Sequence, residues 1–315
     1  METIASAPIW AGFAGLVVAA LIADLALHRD AHEIRFAEAL GWSVLWVALA
    51  LTFNAFVYLR FGREAALQFL AGYLVEKSLS VDNIFVFVVL FQAFAVPRRL
   101  QHRVLLWGIL GAVLMRAGFI FAGAALIARF HWIMYIFGVI LIVTGGRLLV
   151  RRDATIEPRR NPLYQAFAKL VPLADDYAGD RFITHANGRW VATPLLAALV
   201  AIESVDVVFA IDSIPAIFAI TTDPFLVLTS NIFAILGLRA MFFLIGDAVT
   251  KFRYLSVGLA FVLVFIGGKM MAADFVEVPI VVSLAVIVTL IGGSILTSLL
   301  AATRAAAAND SRTAP

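Results

Sequence analysis

Long apolar stretches separated by short polar ones set the plan of this 315-residue chain. The apolar runs predict nine helices, near 8–28, 40–59, 66–95, 104–128, 132–150, 192–219, 225–246, 254–273 and 278–301. A hydrocarbon core about 30 Å thick takes roughly 20 helical residues to cross, and these runs are of that order. The third and sixth runs exceed that length, so they must tilt, break or extend past the bilayer. The first, Ile9 to Leu27, has no basic residue before it and no small-residue cleavage site behind it. It reads as a retained span rather than a signal peptide. The expectation is an all-α polytopic membrane protein with about nine transmembrane helices and a single transmembrane domain over 1–303.

Polar interruptions carry the topology. With the N-terminus outside and the C-terminus in the cytoplasm, sixteen basic residues fall in inner loops; only Arg60, Arg63 and Arg129 fall in outer ones. That bias is the positive-inside pattern. The strongest interruption, 151–191, holds Arg151, Arg152, Pro158, Arg159, Arg160, Pro162 and Asp175-Asp176. It reads as a cytoplasmic linker, with a short surface helix over Leu163 to Leu173. Residues 304–315 read as a disordered tail.

The chain also repeats itself. Ser80-Val81-Asp82-Asn83-Ile84-Phe85 is answered by Ser204-Val205-Asp206-Val207-Val208-Phe209, with Asp82 and Asp206 offset by 124 residues. Arg116-Ala117 is answered by Arg239-Ala240 at 123, and Gly145-Gly146-Arg147 by Gly267-Gly268-Lys269 at 122. Three ordered matches at a near-constant offset predict two three-helix units, helices 3–5 (about 66–150) and 6–8 (about 192–273). An odd number of spans per unit inverts the second copy, as in transporters built from inverted repeats. The first, second and ninth helices are then peripheral.

Charge inside the spans is the candidate chemistry, because an ionisable group in a bilayer is costly and marks a path or site. Glu76, Ser80 and Asn83 share one helical face, with Asp82 about 120° away. In the sixth span Glu203, Asp206 and Ser213 share a face, while Asp212 points to the far side. Pro215 cannot donate to the carbonyl of Ile211, which predicts a local break near Asp212 to Pro215. Asn231 adds an amide. These groups offer hard oxygen, which suits Mn²⁺, Ca²⁺ or Mg²⁺; magnesium sheds water least readily, so manganese or calcium fits better. The competing structural role is plain ion pairing, Glu76 or Asp82 with Arg239 and Asp206 or Glu203 with Arg116. It leaves five acids to three bases (Lys77, Arg116 and Arg239).

Composition narrows the classes further. The chain is 63% hydrophobic and 14% charged, and its mean hydropathy is +0.99. A formal charge of +3 does not suggest nucleic-acid binding. There is no cysteine, which removes disulfides, thiolate metal sites and cysteine nucleophiles, and no histidine lies centrally in a span. The two-aspartate intramembrane protease is disfavoured because its Tyr-Asp and Gly-Xaa-Gly-Asp strings are absent, so no catalytic residue is expected.

The segments Glu76-Lys77-Ser78-Leu79-Ser80-Val81-Asp82-Asn83-Ile84-Phe85, Ala201-Ile202-Glu203-Ser204-Val205-Asp206 through Asp212-Ser213-Ile214-Pro215, and Thr229-Ser230-Asn231 through Leu238-Arg239 resemble motifs of the TerC (Alx-type) integral membrane family. The resemblance runs from the first span to near Ser298. It implies a bacterial inner-membrane manganese exporter, with Glu76, Asp82, Asn83, Glu203, Asp206 and Asp212 on the metal path; the reading of the span residues adds Ser80, Ser213, Asn231, Arg116 and Arg239 in support. No cofactor is implied. The expected partners are the lipid bilayer, the divalent ion and protons as counter-ion, since acids sharing a site titrate as a group. The alternatives are a Ca²⁺ or other cation transporter, or a non-transporting component of a metal- or tellurite-resistance complex.

Overall fold

A computed structural model of the chain describes residues 3–27, 36–130, 132–150, 162–174, 176–186, 188–245, 254–276 and 278–313. The helices are α1 (Ala7–Leu27), α2 (Phe36–Phe61), α3 (Arg63–Ala93), α4 (Arg98–Arg129), α5 (Ile133–Val150), α6 (Pro162–Leu170), α7 (Pro194–Phe218), α8 (Pro224–Leu236), α9 (Leu238–Ile245), α10 (Leu255–Met271) and α11 (Ile280–Thr313). Among the described residues, six spans are long and apolar enough to cross a membrane: α2, α4, α5, α7, α8 with α9, and the first part of α11. The apolar stretch Ala7–Ala23 of α1 and the 17-residue α10 fall just short of that length among the described residues. The 31-residue α3 carries Glu76, Lys77 and Asp82 in its middle, a charge density that removes it from a purely hydropathic count. The protein is an all-α polytopic membrane protein.

Ties between helix ends sort them into two sets. The Ile4 amide donates to Asp223 at 2.7 Å, joining the starts of α1 and α8. Tyr135 at the start of α5 donates to Asp274 just past α10. In the other set, the Tyr177 hydroxyl donates to the Phe94 carbonyl at 2.7 Å and Arg103 pairs with Asp180, so the linker braces the α3–α4 corner. The Tyr254 amide donates to Ser298 at 3.0 Å. That corner turns through Ala95, which has φ 50, the left-handed region in which a helix commonly ends.

Four sequence expectations change. The predicted break near Asp212 to Pro215 is absent: α7 is continuous from Pro194 to Phe218. Pro215 lies in the last turn, where its missing N–H forfeits one hydrogen bond close to the helix end. The interruption falls instead in the seventh span, at Gly237 between α8 and α9. The linker holds α6 as expected, but also a hairpin of β1 (Ile183–Ala186) and β2 (Arg189–Ala192), with Ile183 opposite Ala192 and His185 opposite Trp190. The segment expected as a disordered tail carries helical backbone as far as Thr313, in keeping with its alanines, the strongest helix formers.

The core positions α8 at the back of the bundle. Phe53, Phe69, Phe225 and Phe233 from α2, α3 and α8 pack ring against ring, with Phe53 and Phe233 centroids 4.8 Å apart. Asp223 caps α8, accepting from the amides of Phe225 at 2.9 Å and Leu226 at 3.1 Å, and Pro224 follows at the first helical position. Every side chain from Pro224 to Leu236 is buried, including Thr229, Ser230 and Asn231.

On the opposite side, α5 and α10 cross through small residues. A methyl group on Gly267 would lie 2.7 Å from the Gly138 carbonyl oxygen, and one on Gly145 would lie 2.7 Å from that of Ala260. Nothing lies within 4 Å of the equivalent points on Gly146 and Gly268. Only the first glycine of each pair makes the close backbone approach that small residues permit between membrane helices.

Candidate functional site

Arg116 of α4 is the hub. It is 1% exposed, and its guanidinium reaches three other helices. Its Nη1 donates to Glu76 Oε1 on α3, to Ser213 Oγ on α7 at 3.3 Å and to Asn231 Oδ1 on α8 at 3.4 Å. Its Nε and Nη2 donate to Asp206 Oδ2 and Oδ1 at 3.4 and 3.1 Å. Asn231 closes the ring, its Nδ2 donating to Glu76 Oε2 at 3.2 Å. Two carboxylates, an amide and a hydroxyl therefore converge on one cation, each from a buried position. Burial of charge at this depth is tolerable because every carboxylate oxygen of Glu76 and Asp206 has a donor.

Local sequence explains the convergence. Glu76 and Asn231 meet because Gly72, one turn before Glu76, lets α8 approach; a methyl there would lie 2.8 Å from Ser230 Oγ. The hydroxyls of Ser80 and Ser204 fold back onto the carbonyls of Glu76 and Val200 at 2.8 and 2.6 Å. Such back-bonding satisfies a serine inside a membrane helix without a second helix.

The remaining predicted residues occupy different places. Glu203 lies one turn before Asp206 on α7, against Gly111 of α4, where a methyl group would overlap its carboxylate. Its Oε2 is buried with no hydrogen-bond partner among the described residues. Asp212 faces α5 instead, accepting from Thr144 Oγ1 at 2.8 Å, within electrostatic reach of Arg147. An unbroken α7 does aim its acids at two surfaces, as helix geometry requires. The second surface is α5, so no unwinding is needed to shelter Asp212. Asn83 is buried on α3. Asp82 lies on the same helix, and its side chain is outside the described residues. Among the described residues no three Asp, Glu, His or Cys side chains stand close enough to hold one metal ion.

Of the expected ion pairs, Asp206 with Arg116 is present, and Arg116 takes Glu76 as well. Arg239 is buried and lines a cavity of about 10 Å³ with Asp206, Gly108, Ala112 and Phe87. That is room for about one water molecule.

Two participants were not singled out from the sequence as site residues. Lys77 donates to the Ala234 carbonyl at 3.3 Å, at the C-terminal end of α8 beside Gly237. A cation there meets the negative end of the helix dipole and a carbonyl short of its own donor. Its place beside Glu76 inside a span was the available signal. Thr144 carried none, since a threonine in an apolar helix is unremarked until its partner is known.

Comparison with known proteins matches the chain to a family. A family model described as "Integral membrane protein TerC family" matches residues 61–306. An "Uncharacterized membrane protein STKORF319" of Myxococcus xanthus is 54% identical over 304 residues, covering 95% of each chain. A protein named "Putative membrane-bound redox modulator Alx" is 46% identical over 297 residues in Salmonella typhi, covering 91% of this chain and 92% of that relative. The protein of the same name in Escherichia coli (strain K12) is also 46% identical over 297 residues, with the same coverage. No solved structure matches.

Proposed function

The chain belongs to the integral membrane protein TerC family, and on that premise we propose that it exports a divalent metal ion, Mn²⁺ foremost, from the cytoplasm in exchange for protons. The observation that carries this reading is the meeting of Glu76 and Asp206 at the centre of the bundle, with Asn231 and Ser213 beside them. All four offer hard oxygen, the donor set of Mn²⁺ and Ca²⁺, and the chain has neither thiolate nor a central imidazole to favour softer ions.

Repeat symmetry supports alternating access. The contacts come in exchangeable pairs: α3 packs on α8 as α4 packs on α7, and Gly138 meets Gly267 as Ala260 meets Gly145. Residues 138 and 145 become 260 and 267 under the sequence offset of 122. We read α3–α5 and α7–α10 as inverted halves that rock about this crossing, opening Glu76 and Asp206 to each side in turn. We read the loops rich in basic residues as cytoplasmic, which puts the N-terminus outside and the C-terminus inside a bacterial inner membrane. The name of the Salmonella and Escherichia relatives speaks of redox; a cysteine-free chain has no thiol chemistry, so a redox effect here would act through the metal it moves.

The test is Mn²⁺ flux in liposomes with purified protein, against Ca²⁺, Mg²⁺ and Zn²⁺. Uptake driven by an opposing proton gradient, and lost in Asp206→Asn, is the expected result. Wild-type protein that moves none of these ions would remove the reading.

A further inference from the structure

We propose that Arg116 is a tethered counter-ion: in the empty carrier its guanidinium occupies the oxygens the cargo needs, and the arriving divalent ion drives it one helical turn along α7 onto Glu203. This rests on the transport reading above and adds a residue that competes with the cargo from inside the protein.

The first observation is coincidence of donors. Glu76, Asp206, Ser213 and Asn231 are the oxygens a hard cation would use, and Arg116 holds all four at once. A guanidinium left in that position would repel a divalent ion at a few ångströms, where charge interactions inside a protein are strong. Binding therefore requires it to move.

The second observation is that a seat stands ready. Glu203 Oε2 is buried without a hydrogen-bond partner among the described residues, although unsatisfied buried carboxylate oxygens are expensive. Glu203 precedes Asp206 by three residues on a continuous helix, about 4.5 Å along its axis, and shares its face. Helical side chains lean toward the N-terminus of their own helix. Arg116 on α4 thus leans toward the level of Gly111, where Glu203 lies.

The third observation is clearance between the two positions. Gly108 and Gly111 put no side chain in the way; a methyl on Gly108 would stand 4.0 Å from Glu203 Oε1. Gly108 also lines the small cavity beside Asp206. Charge is conserved across the step. One divalent ion on Glu76 and Asp206, with Arg116 on Glu203, leaves the three carboxylates neutralised. When the ion leaves, Arg116 returns and two protons restore the same balance.

The experiment is a double-mutant cycle on Mn²⁺ affinity, measured calorimetrically on purified full-length protein: wild type, Arg116→Gln, Glu203→Gln and the double variant. Removing a unit charge beside the ion should tighten binding by about tenfold or more in Arg116→Gln. Glu203→Gln alone should weaken binding by about tenfold, because the guanidinium has nowhere to go, yet change affinity less than about twofold once Arg116 is Gln. A penalty for Glu203→Gln that persists in the double variant would make Glu203 a direct ligand and overturn the proposal. So would Arg116→Gln binding no tighter than wild type. A wild type that binds no Mn²⁺ brings down the transport reading, and this one with it.

A second measurement covers failure of Arg116→Gln to fold. With arginine labelled in nitrogen-15, the infrared difference spectrum on adding Mn²⁺ should show shifted guanidinium bands in wild type and none in Glu203→Gln. Bands that stay unshifted in wild type, or shift equally in both, would exclude the step.

Discussion

Arg116 grips Asp206 through two donors at once, Nε to Oδ2 at 3.4 Å and Nη2 to Oδ1 at 3.1 Å, across 90 residues of sequence. Planar, two-point recognition of this kind fixes the carboxylate's orientation as well as its charge. Asp206→Ala leaves Arg116 paired with Glu76 but strips the partner from two buried donors, Nε and Nη2, and should lower stability by about 1–3 kcal/mol, read from unfolding in detergent. Arg116→Lys should retain the charge but lose the fork, giving a smaller loss. Equal stability in both variants would show that the geometry of the pair does not matter.

Gly111 separates position from stability. A methyl there would strike the free end of Glu203, which can move, so Gly111→Ala should leave the melting temperature nearly unchanged while weakening Mn²⁺ binding several-fold. Gly118→Ala, on the same helix with nothing within 4 Å, should alter neither. Calorimetry and thermal melts on the two variants make the comparison. Matching affinities would dissociate Glu203 from binding.

The α5–α10 crossing predicts the opposite signature. Gly145→Ala and Gly267→Ala each push a methyl to 2.7 Å from a backbone carbonyl, which cannot swing aside. Each should cost about 1–3 kcal/mol. Gly146→Ala and Gly268→Ala face open space and should stay within about 0.5 kcal/mol of wild type. Unfolding midpoints decide the matter.

Asp212 and Asp206 should behave differently although both are acids of α7. Asp206 sits on the Arg116 hub, whereas Asp212 bonds Thr144 on α5. Thr144→Val should reproduce most of whatever Asp212→Asn does to flux, and neither should change the stability gained from the hub. A flux defect in Asp212→Asn with a normal Thr144→Val would mean that Asp212 meets the ion directly.

Topology can be read by labelling, since the chain lacks cysteine. Thr3→Cys and Asp274→Cys should react with an impermeant thiol reagent from one face of the membrane, and Asp180→Cys from the other. The ties from Ile4 to Asp223, Tyr135 to Asp274 and Arg103 to Asp180 place them so. With the basic loops inside, the first pair should label from the periplasm. Labelling of all three from one face would overturn the proposed topology.

The membrane class, the positions of the apolar segments and the hard-oxygen character of the central groups were determined by the sequence alone, because burial in lipid writes itself as local hydrophobicity and as the cost of each exception. The spacing of Glu203, Asp206 and Ser213 also told which share a face, since 3.6 residues per turn is a local rule. Partner choice was left to tertiary structure. Nothing in the spacing distinguishes Arg116 from Arg239 as the partner of Glu76, or shows Thr144 waiting for Asp212, because helices 40 to 155 residues apart in the chain meet only after packing. The same is true of Pro215, whose local effect suggested a break. A neighbouring helix sheltered Asp212 instead, and α7 stayed whole.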